Sequence, residues 1–357
     1  MKIAVIDDYQ DAFRKTQCFA KLKGHEFVVY NDSEKDPVKF GKRLTGCEAL
    51  VLTQQRSFMP RAVIENLPAS IKLLAQTGRN VPHIDTAACT ERGIVVSASG
   101  GGNSSPTVEL TWALILASVR NLPTEVNNMQ AGRWQSTAGI GLQGKTLGVY
   151  AYGKIGSGVA KVGKAFGMKV ICWGRDGSTA KARADGFEVA ASRAAFFADS
   201  DIVTIHLPLN KDTRGLITAA DLALMKPTAR IVNTSRAPLI EPGALVRALQ
   251  AGRPGMAAVD VYEKEPKVHP RLLRVPSAVL LPHLGSATTE ARGRMGELAT
   301  ENLLAVLAGA EAAVVVALHR NADELCEGVG KLGGEIFRVI RQGGCGTDHD
   351  RNRGGNP

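Results

Sequence analysis

Cysteine is sparse in this 357-residue chain and never clustered. The six, Cys18, Cys47, Cys89, Cys172, Cys326 and Cys345, stand at least 19 residues apart. With no C-x-x-C pair and no Cys/His cluster, a zinc knuckle and a disulfide-framed scaffold are both excluded, and no metal site is expected. Free thiols in a reducing cytoplasm are the expectation. Long hydrophobic runs are missing too. The most apolar stretches, 112–119 and 312–318, fall far short of the ~20 residues of a membrane span, so no membrane partner is expected. The opening Met1-Lys2-Ile3-Ala4-Val5-Ile6-Asp7-Asp8 is not read as a signal peptide, because two aspartates cut its apolar run short. There is no internal repeat and no run of Lys and Arg.

What remains is an ordinary globular balance, 44% hydrophobic and 22% charged, in a chain long enough for two domains. The net charge of +10 admits nucleic acid, an anionic membrane or a small anion as partner. Its distribution decides. Residues 101–287 hold 22 basic and 13 acidic side chains, whereas residues 288–357 hold 8 and 10. An excess spread through one domain, with no basic tail, points to a small polyanionic ligand and away from nucleic acid.

Short β-branched runs alternate with amphipathic stretches. Residues 3–6, 27–30, 49–53, 71–76 and 94–97 read as buried strands, with a helix at 60–67. A turn-rich stretch at 99–106 then leads into a helix ending near Arg120. A second series follows, with strands at 147–151, 169–173, 202–206, 230–233, 256–261 and 278–281. Apolar strands alternating with helices predict parallel α/β sheets. From about residue 319 the chain is glycine-rich and polar and reads as a flexible tail, 319–357.

The segment Leu147 to Gly156 runs strand, tight turn, helix, with Ile155, Val159, Val162 and Phe166 on one helical face. Such a turn offers backbone N–H groups to a pyrophosphate. Gly153 permits close backbone approach and Gly156 close helix packing, but Ala151 stands where the first glycine of G-x-G-x-x-G is expected. After the next strand, NAD sites place an acid for the ribose hydroxyl. Here Gly174 stands at that position, followed by Arg175 and Asp176. A missing carboxylate with a guanidinium beside it favours the 2′-phosphate of NADP. Arg175 stacking on adenine with Asp176 serving the ribose keeps NAD open.

Val232-Asn233-Thr234-Ser235-Arg236-Ala237, Val259-Asp260-Val261-Tyr262-Glu263-Lys264-Glu265-Pro266 and Leu281-Pro282-His283-Leu284-Gly285-Ser286 each follow a predicted strand. Together with the glycine turn, in this order, they resemble the D-isomer-specific 2-hydroxyacid dehydrogenases, the family of glyoxylate/hydroxypyruvate reductases and phosphoglycerate dehydrogenases. The resemblance covers residues 1–316. It implies two doubly wound parallel-sheet α/β domains, a Rossmann cofactor domain (101–287) inserted into a flavodoxin-like substrate domain (1–100 plus a return helix at 288–318). It also implies a homodimer and a short 2-oxo acid as substrate; the apolar helix 108–119 with Trp112 is the candidate dimer surface, and such a stripe is as easily core.

By the same resemblance the catalytic residues are Arg236, Glu265 and His283. Glu265 is preferred to Glu263 because the family's acid directly precedes the proline. The cofactor-binding positions are Tyr152, Gly153, Lys154, Ile155, Gly174, Arg175, His206, Leu207, Pro208, Thr234, Ser235, Arg236, Asp260, His283 and Gly285. The substrate-binding positions are Gly78, Arg79, Asn80 and Arg236. Arg79 and Asn80 depart from the usual loop, and the residues after 318 match nothing in the family's ending.

These residue types suit reduction of a 2-oxo acid. An arginine fork holds a carboxylate and polarises the ketone. A histidine donates the proton near physiological pH, and a glutamate on its other nitrogen orients it and stabilises the imidazolium. Singly, each is as readily a solvated or structural residue. Their joint position at the ends of successive strands makes the case. A dinucleotide-sensing, corepressor-like protein on the same fold is the non-enzymatic alternative, and a formate dehydrogenase the enzymatic one. The latter expects an amide partner for the histidine, which Glu265 is not.

Overall fold

In the computed structural model, residues 1–78, 81–98, 103–307 and 315–317 are described. Arg79 and Asn80 of the substrate loop, the glycines at 100–102 and the expected tail 319–357 lie outside them.

The chain forms two compact units. One comprises Met1–Asp11, Gln17–Gly100 and Glu297–Pro357, the other Ala12–Thr16 and Gly101–Gly296. The second unit is thus inserted into the first. The return crossing falls at 296/297, inside a helix, where the sequence suggests 287/288. A continuous helix over Thr289–Leu307 carries the chain across it.

In the first unit β1 (Lys2–Ile6), β2 (Glu26–Val29), β3 (Ala49–Leu52), β4 (Leu73–Gln76) and β5 (Val95–Ala98) are parallel, in the order β2-β1-β3-β4-β5. That is the flavodoxin-like order. Ala49–Leu52 and Leu73–Gln76 are buried at every residue, as expected of strands covered on both faces. Gly78 stands just past the carboxyl end of β4.

In the second unit β6 (Thr146–Tyr150), β7 (Lys169–Trp173), β8 (Glu188–Val189), β9 (Ile202–Ile205), β10 (Arg230–Asn233), β11 (Met256–Val259) and β12 (Ala278–Leu280) form a parallel sheet ordered β12-β11-β10-β9-β6-β7-β8. The order reverses between β6 and β9, which makes that crevice the switch point where open α/β sheets bind ligands. A last strand, β13 (Val315–Ala317), pairs antiparallel with β5. The return segment is therefore a helix to Leu307 and a short strand, not one helix over 288–318. The two-residue β8 is too short to leave an alternating pattern in the sequence.

The helices are α1 (Pro37–Arg43), α2 (Arg61–Asn66), α3 (Thr86–Glu91), α4 (Ser105–Val119), α5 (Leu122–Gln130), α6 (Lys154–Ala165), α7 (Asp176–Ala184), α8 (Arg193–Asp199), α9 (Ala219–Leu224), α10 (Ala244–Gln250), α11 (Pro270–Leu273) and α12 (Thr289–Leu307). No described helix is long and apolar enough to cross a membrane. Some glycines serve packing. A β-carbon on Gly163 would meet Leu147 at 2.6 Å, and one on Gly158 would meet Val108 at 2.8 Å, so α6 can lie close to β6 and α4.

Trp112 is only 5% exposed, its indole N–H donates to the Val159 carbonyl, and its ring lies 4.9 Å from Phe166, so this face of α4 is core. Phe166, the C-cap of α6, is 42% exposed. Four large apolar side chains that reach solvent sit next door, on α5 and beyond it: Leu122, Val126, Met129 and Trp134.

Candidate active site

The glycine turn forms despite Ala151. That residue takes φ 75°, a left-handed conformation that glycine adopts freely and alanine does not. Its N–H donates to the Trp173 carbonyl at 2.7 Å, fastening the end of β6 to the end of β7. Gly156 must lack a side chain, because a β-carbon there would strike the Ala151 carbonyl. Gly153 caps α6, and a β-carbon on it would meet nothing within 4 Å. No side chain caps α6. N–H groups at Lys154 and Ile155, at a helix start that no side chain caps, fit a diphosphate. Lys154 itself is exposed.

The ring of Tyr152 is buried, its hydroxyl donates to Asp185 at 2.8 Å, and its N–H donates to Ser178 Oγ at 2.6 Å, so it anchors the turn. Ser178 also crowds Gly174, whose hypothetical β-carbon would lie 3.0 Å from Ser178 Oγ. Arg175 follows as the exposed N-cap of α7, with Asp176 beside it.

His206 closes β9. Its Nε2 lies 2.9 Å from Thr204 Oγ1, while Nδ1 is buried without a hydrogen-bond partner. Burial pushes its pKa down to about 3, so the ring is neutral. An orphaned polar atom at the switch point fits a bound polar ligand. Leu207 turns into the core, and Pro208 is exposed.

After β10, buried Asn233 builds the next turn. Its Oδ1 accepts the Ser235 N–H and its Nδ2 donates to the Arg236 carbonyl, both at 3.0 Å. Ser235 Oγ donates to the Ile205 carbonyl at 2.9 Å. Nothing in the motif around Asn233 marks it for this work. The Arg236 guanidinium donates to the Ser235 carbonyl at 2.6 Å. Burial pulls its pKa down, and the charges of Glu265 and Asp260 pull it back. Thr234 is buried, with its hydroxyl 2.8 Å from that of Thr111.

Asp260, after β11, is fully buried. Its two oxygens accept the N–H groups of Leu284 at 2.7 Å and Gly285 at 2.8 Å. Burial raises its pKa, against those two bonds and the nearby His283. Asp260 therefore fastens the loop after β12, a task the motif did not reveal.

That loop carries His283, itself left-handed at φ 55°. Its Nδ1 meets Glu265 Oε2 at 2.6 Å, and Glu265 Oε1 accepts the Tyr262 N–H at 2.9 Å. Glu263 stays exposed, with only a 3.4 Å contact to the Gly243 N–H. Burial would raise Glu265, but the His283 hydrogen bond and charge, the Tyr262 N–H and Arg236 outweigh it and hold the carboxyl below its usual range. An ionised carboxylate only accepts, so Nδ1 carries the hydrogen and Nε2 is left for proton exchange. Arg236, Glu265 and His283, from the ends of β10, β11 and β12 in that order, thus share one electrostatic cluster.

The family model described as "D-isomer specific 2-hydroxyacid dehydrogenase, NAD binding domain" matches residues 112–285. The chain is 37% identical over 300 residues to a glyoxylate reductase of Thermococcus litoralis, covering 80% of this chain and 89% of that one. It is 40% identical over 250 residues to a glyoxylate reductase of Aeropyrum pernix, covering 67% and 74%. The crystal structure of a phosphoglycerate oxidoreductase from Vibrio cholerae superposes with a TM-score of 0.83 at 41% identity, covering 87% of this chain and all of that one.

Proposed function

The chain belongs to the D-isomer-specific 2-hydroxyacid dehydrogenases and is an NAD(P)-dependent oxidoreductase; on that premise we propose that it reduces a short 2-oxo acid, of the glyoxylate or hydroxypyruvate kind, to the D-2-hydroxy acid. The carrying observation is the 2.6 Å His283–Glu265 pair in one cluster with Arg236.

When bound, the reduced nicotinamide supplies the hydride that adds to the substrate's C2. Arg236 holds the carboxylate and polarises the ketone oxygen, on which negative charge develops. His283 donates the Nε2 proton to that oxygen, and Glu265 stabilises the imidazolium by its bond to Nδ1. In the oxidative direction the same pair accepts the proton. Asp260 holds the His283 loop through Leu284 and Gly285. The N-terminus of α6, with Lys154 and Ile155, would hold the diphosphate. The backbone at Gly78–Asn80 is assigned to the substrate carboxylate on the strength of the family motif.

NADPH is the preferred donor in this reading. No carboxylate stands at Gly174 to repel a 2′-phosphate, and the exposed Arg175 is free to reach one. The protein acts as a homodimer, paired through α5 and the segment after it. Glu125 accepts from Ser136 and Thr137, and Asn128 bonds Ser136 and Arg133, so that segment is pinned in place while Trp134 is left 74% exposed. A cytoplasmic location suits the buried free thiols Cys18, Cys47, Cys89 and Cys172.

Mixing the protein with NADPH or NADH and a panel of 2-oxo acids, and following loss of the reduced-nicotinamide absorbance, tests the reading. Turnover of glyoxylate or hydroxypyruvate is expected. Silence across the panel would overturn it.

A further inference from the structure

Arg236 and His283 sit on separate loops, after β10 and after β12, and something must set one against the other. Within the sheet the link is partial. Asn233 shapes the Arg236 turn, and Asp260 holds Leu284 and Gly285. A second link runs through α4, which packs on β10, β11 and β12. Thr107 Oγ1 donates to the Gly285 carbonyl at 2.9 Å. One turn later Thr111 Oγ1 donates to the Thr107 carbonyl at 2.7 Å and lies 2.8 Å from Thr234 Oγ1.

The proton positions follow. A carbonyl only accepts, so the single Thr111 hydroxyl hydrogen is committed to Thr107. Thr234 must therefore donate to Thr111. The chain reads Thr234 hydroxyl to Thr111 hydroxyl to Thr107 carbonyl, with the Thr107 hydroxyl going on to Gly285. Its two ends lie two residues before Arg236 and two residues after His283. Threonine hydroxyls inside helices ordinarily bond back to their own helix and do no more. Here one reaches a loop 178 residues away along the chain, and the other receives a side chain from the end of β10. His283 also occupies a left-handed backbone conformation, which persists only where its surroundings over-determine it. The Thr107–Gly285 bond is one of the restraints.

We propose that Thr107 and Thr111, through this hydroxyl chain on α4, are positioning residues that hold the Arg236 and His283 loops in register for the reaction. The proposal rests on the reading that Arg236 and His283 do the chemistry. A valine in place of Thr111 keeps the shape, removes the acceptor, and leaves the Thr234 hydroxyl without a partner. A shift of the loops by a fraction of an ångström then acts on the reacting geometry and not on substrate affinity.

The test measures kcat and KM for NADPH and for the preferred 2-oxo acid, with the melting temperature, in the full-length protein. Thr111→Val is expected to lower kcat roughly tenfold while KM for NADPH stays within about twofold. Thr111→Ser, which restores the hydroxyl, is expected to recover kcat. Thr107→Val, at a partly exposed position, should reproduce the loss of kcat and decides the matter if Thr111→Val does not fold. A wild-type kcat in the valine variants, or failure of serine to recover it, overturns the proposal. His283→Gln and Arg236→Lys run alongside. If they abolish turnover while the threonine variants do not change it, this inference alone fails. If they retain turnover, or the wild type has none, the underlying reading fails and the proposal with it.

Discussion

Nδ1 of His283 lies 2.6 Å from Oε2 of Glu265, and the other carboxylate oxygen is taken by the Tyr262 N–H at 2.9 Å. Both oxygens are committed, so the glutamate can orient the ring and stabilise its charge without turning away. Replacing Glu265 by Gln keeps an acceptor and removes the charge. We expect kcat to fall about 10- to 100-fold, and His283→Ala to cost roughly 10²–10⁴. NADPH binding, followed by fluorescence, should survive both. Loss of binding would contradict the assigned roles.

The Glu265 carboxyl also links stability to pH. Its folded pKa lies below its ordinary value of 4.5, so its contribution is complete above that pH and is lost as pH falls through the lower folded value. His206 acts earlier. Its folded pKa is about 3 against 6.5 unfolded, so below pH 6.5 the unfolded chain takes up a proton that the folded chain refuses. Stability should fall by about 1 kcal/mol per pH unit between roughly pH 6 and 4. His206→Gln should flatten that limb in urea titrations without cofactor. Parallel curves for the two proteins would remove His206 as the cause.

Ala151 holds φ 75° where a glycine would be unstrained. Ala151→Gly relieves a left-handed alanine costing about 1–2 kcal/mol and loses about 0.4–1 kcal/mol through a freer unfolded chain. The net expectation is a gain of about 0.5 kcal/mol, read as a higher urea midpoint at unchanged slope. A lower midpoint would show the strain to be absent.

The cofactor assignment turns on Arg175. Arg175→Ala should lower kcat/KM for NADPH roughly tenfold and leave that for NADH nearly unchanged. An equal effect on both donors would point to adenine stacking.

Trp134 and Met129, exposed beside the pinned segment after α5, report on assembly. Sedimentation should give a dimer for the wild type and a monomer for Trp134→Glu combined with Met129→Glu. A wild-type monomer, or a dimer that survives both changes, would move the interface elsewhere.

Much of this protein can be read from its sequence, for local reasons. A strand such as 49–52, Ala-Leu-Val-Leu, is apolar along its whole length because both faces are covered, and that pattern needs no tertiary knowledge. Arg236, Glu265 and His283 are legible because each follows such a strand in a recognisable run. The tertiary structure decided what depends on contacts between distant segments. Trp112 is core because α6 lies over it, and no periodicity separates an apolar face that meets its own chain from one that meets a partner. Tyr152 anchors the glycine turn because Ser178 and Asp185 receive its donors. Asp260 and Thr107 hold the His283 loop through partners 24 to 178 residues away. The sequence names the groups that can do the chemistry. Only the folded chain aims them, because the bonds that do so join segments far apart in the sequence, several of them through backbone atoms that leave no residue-specific mark.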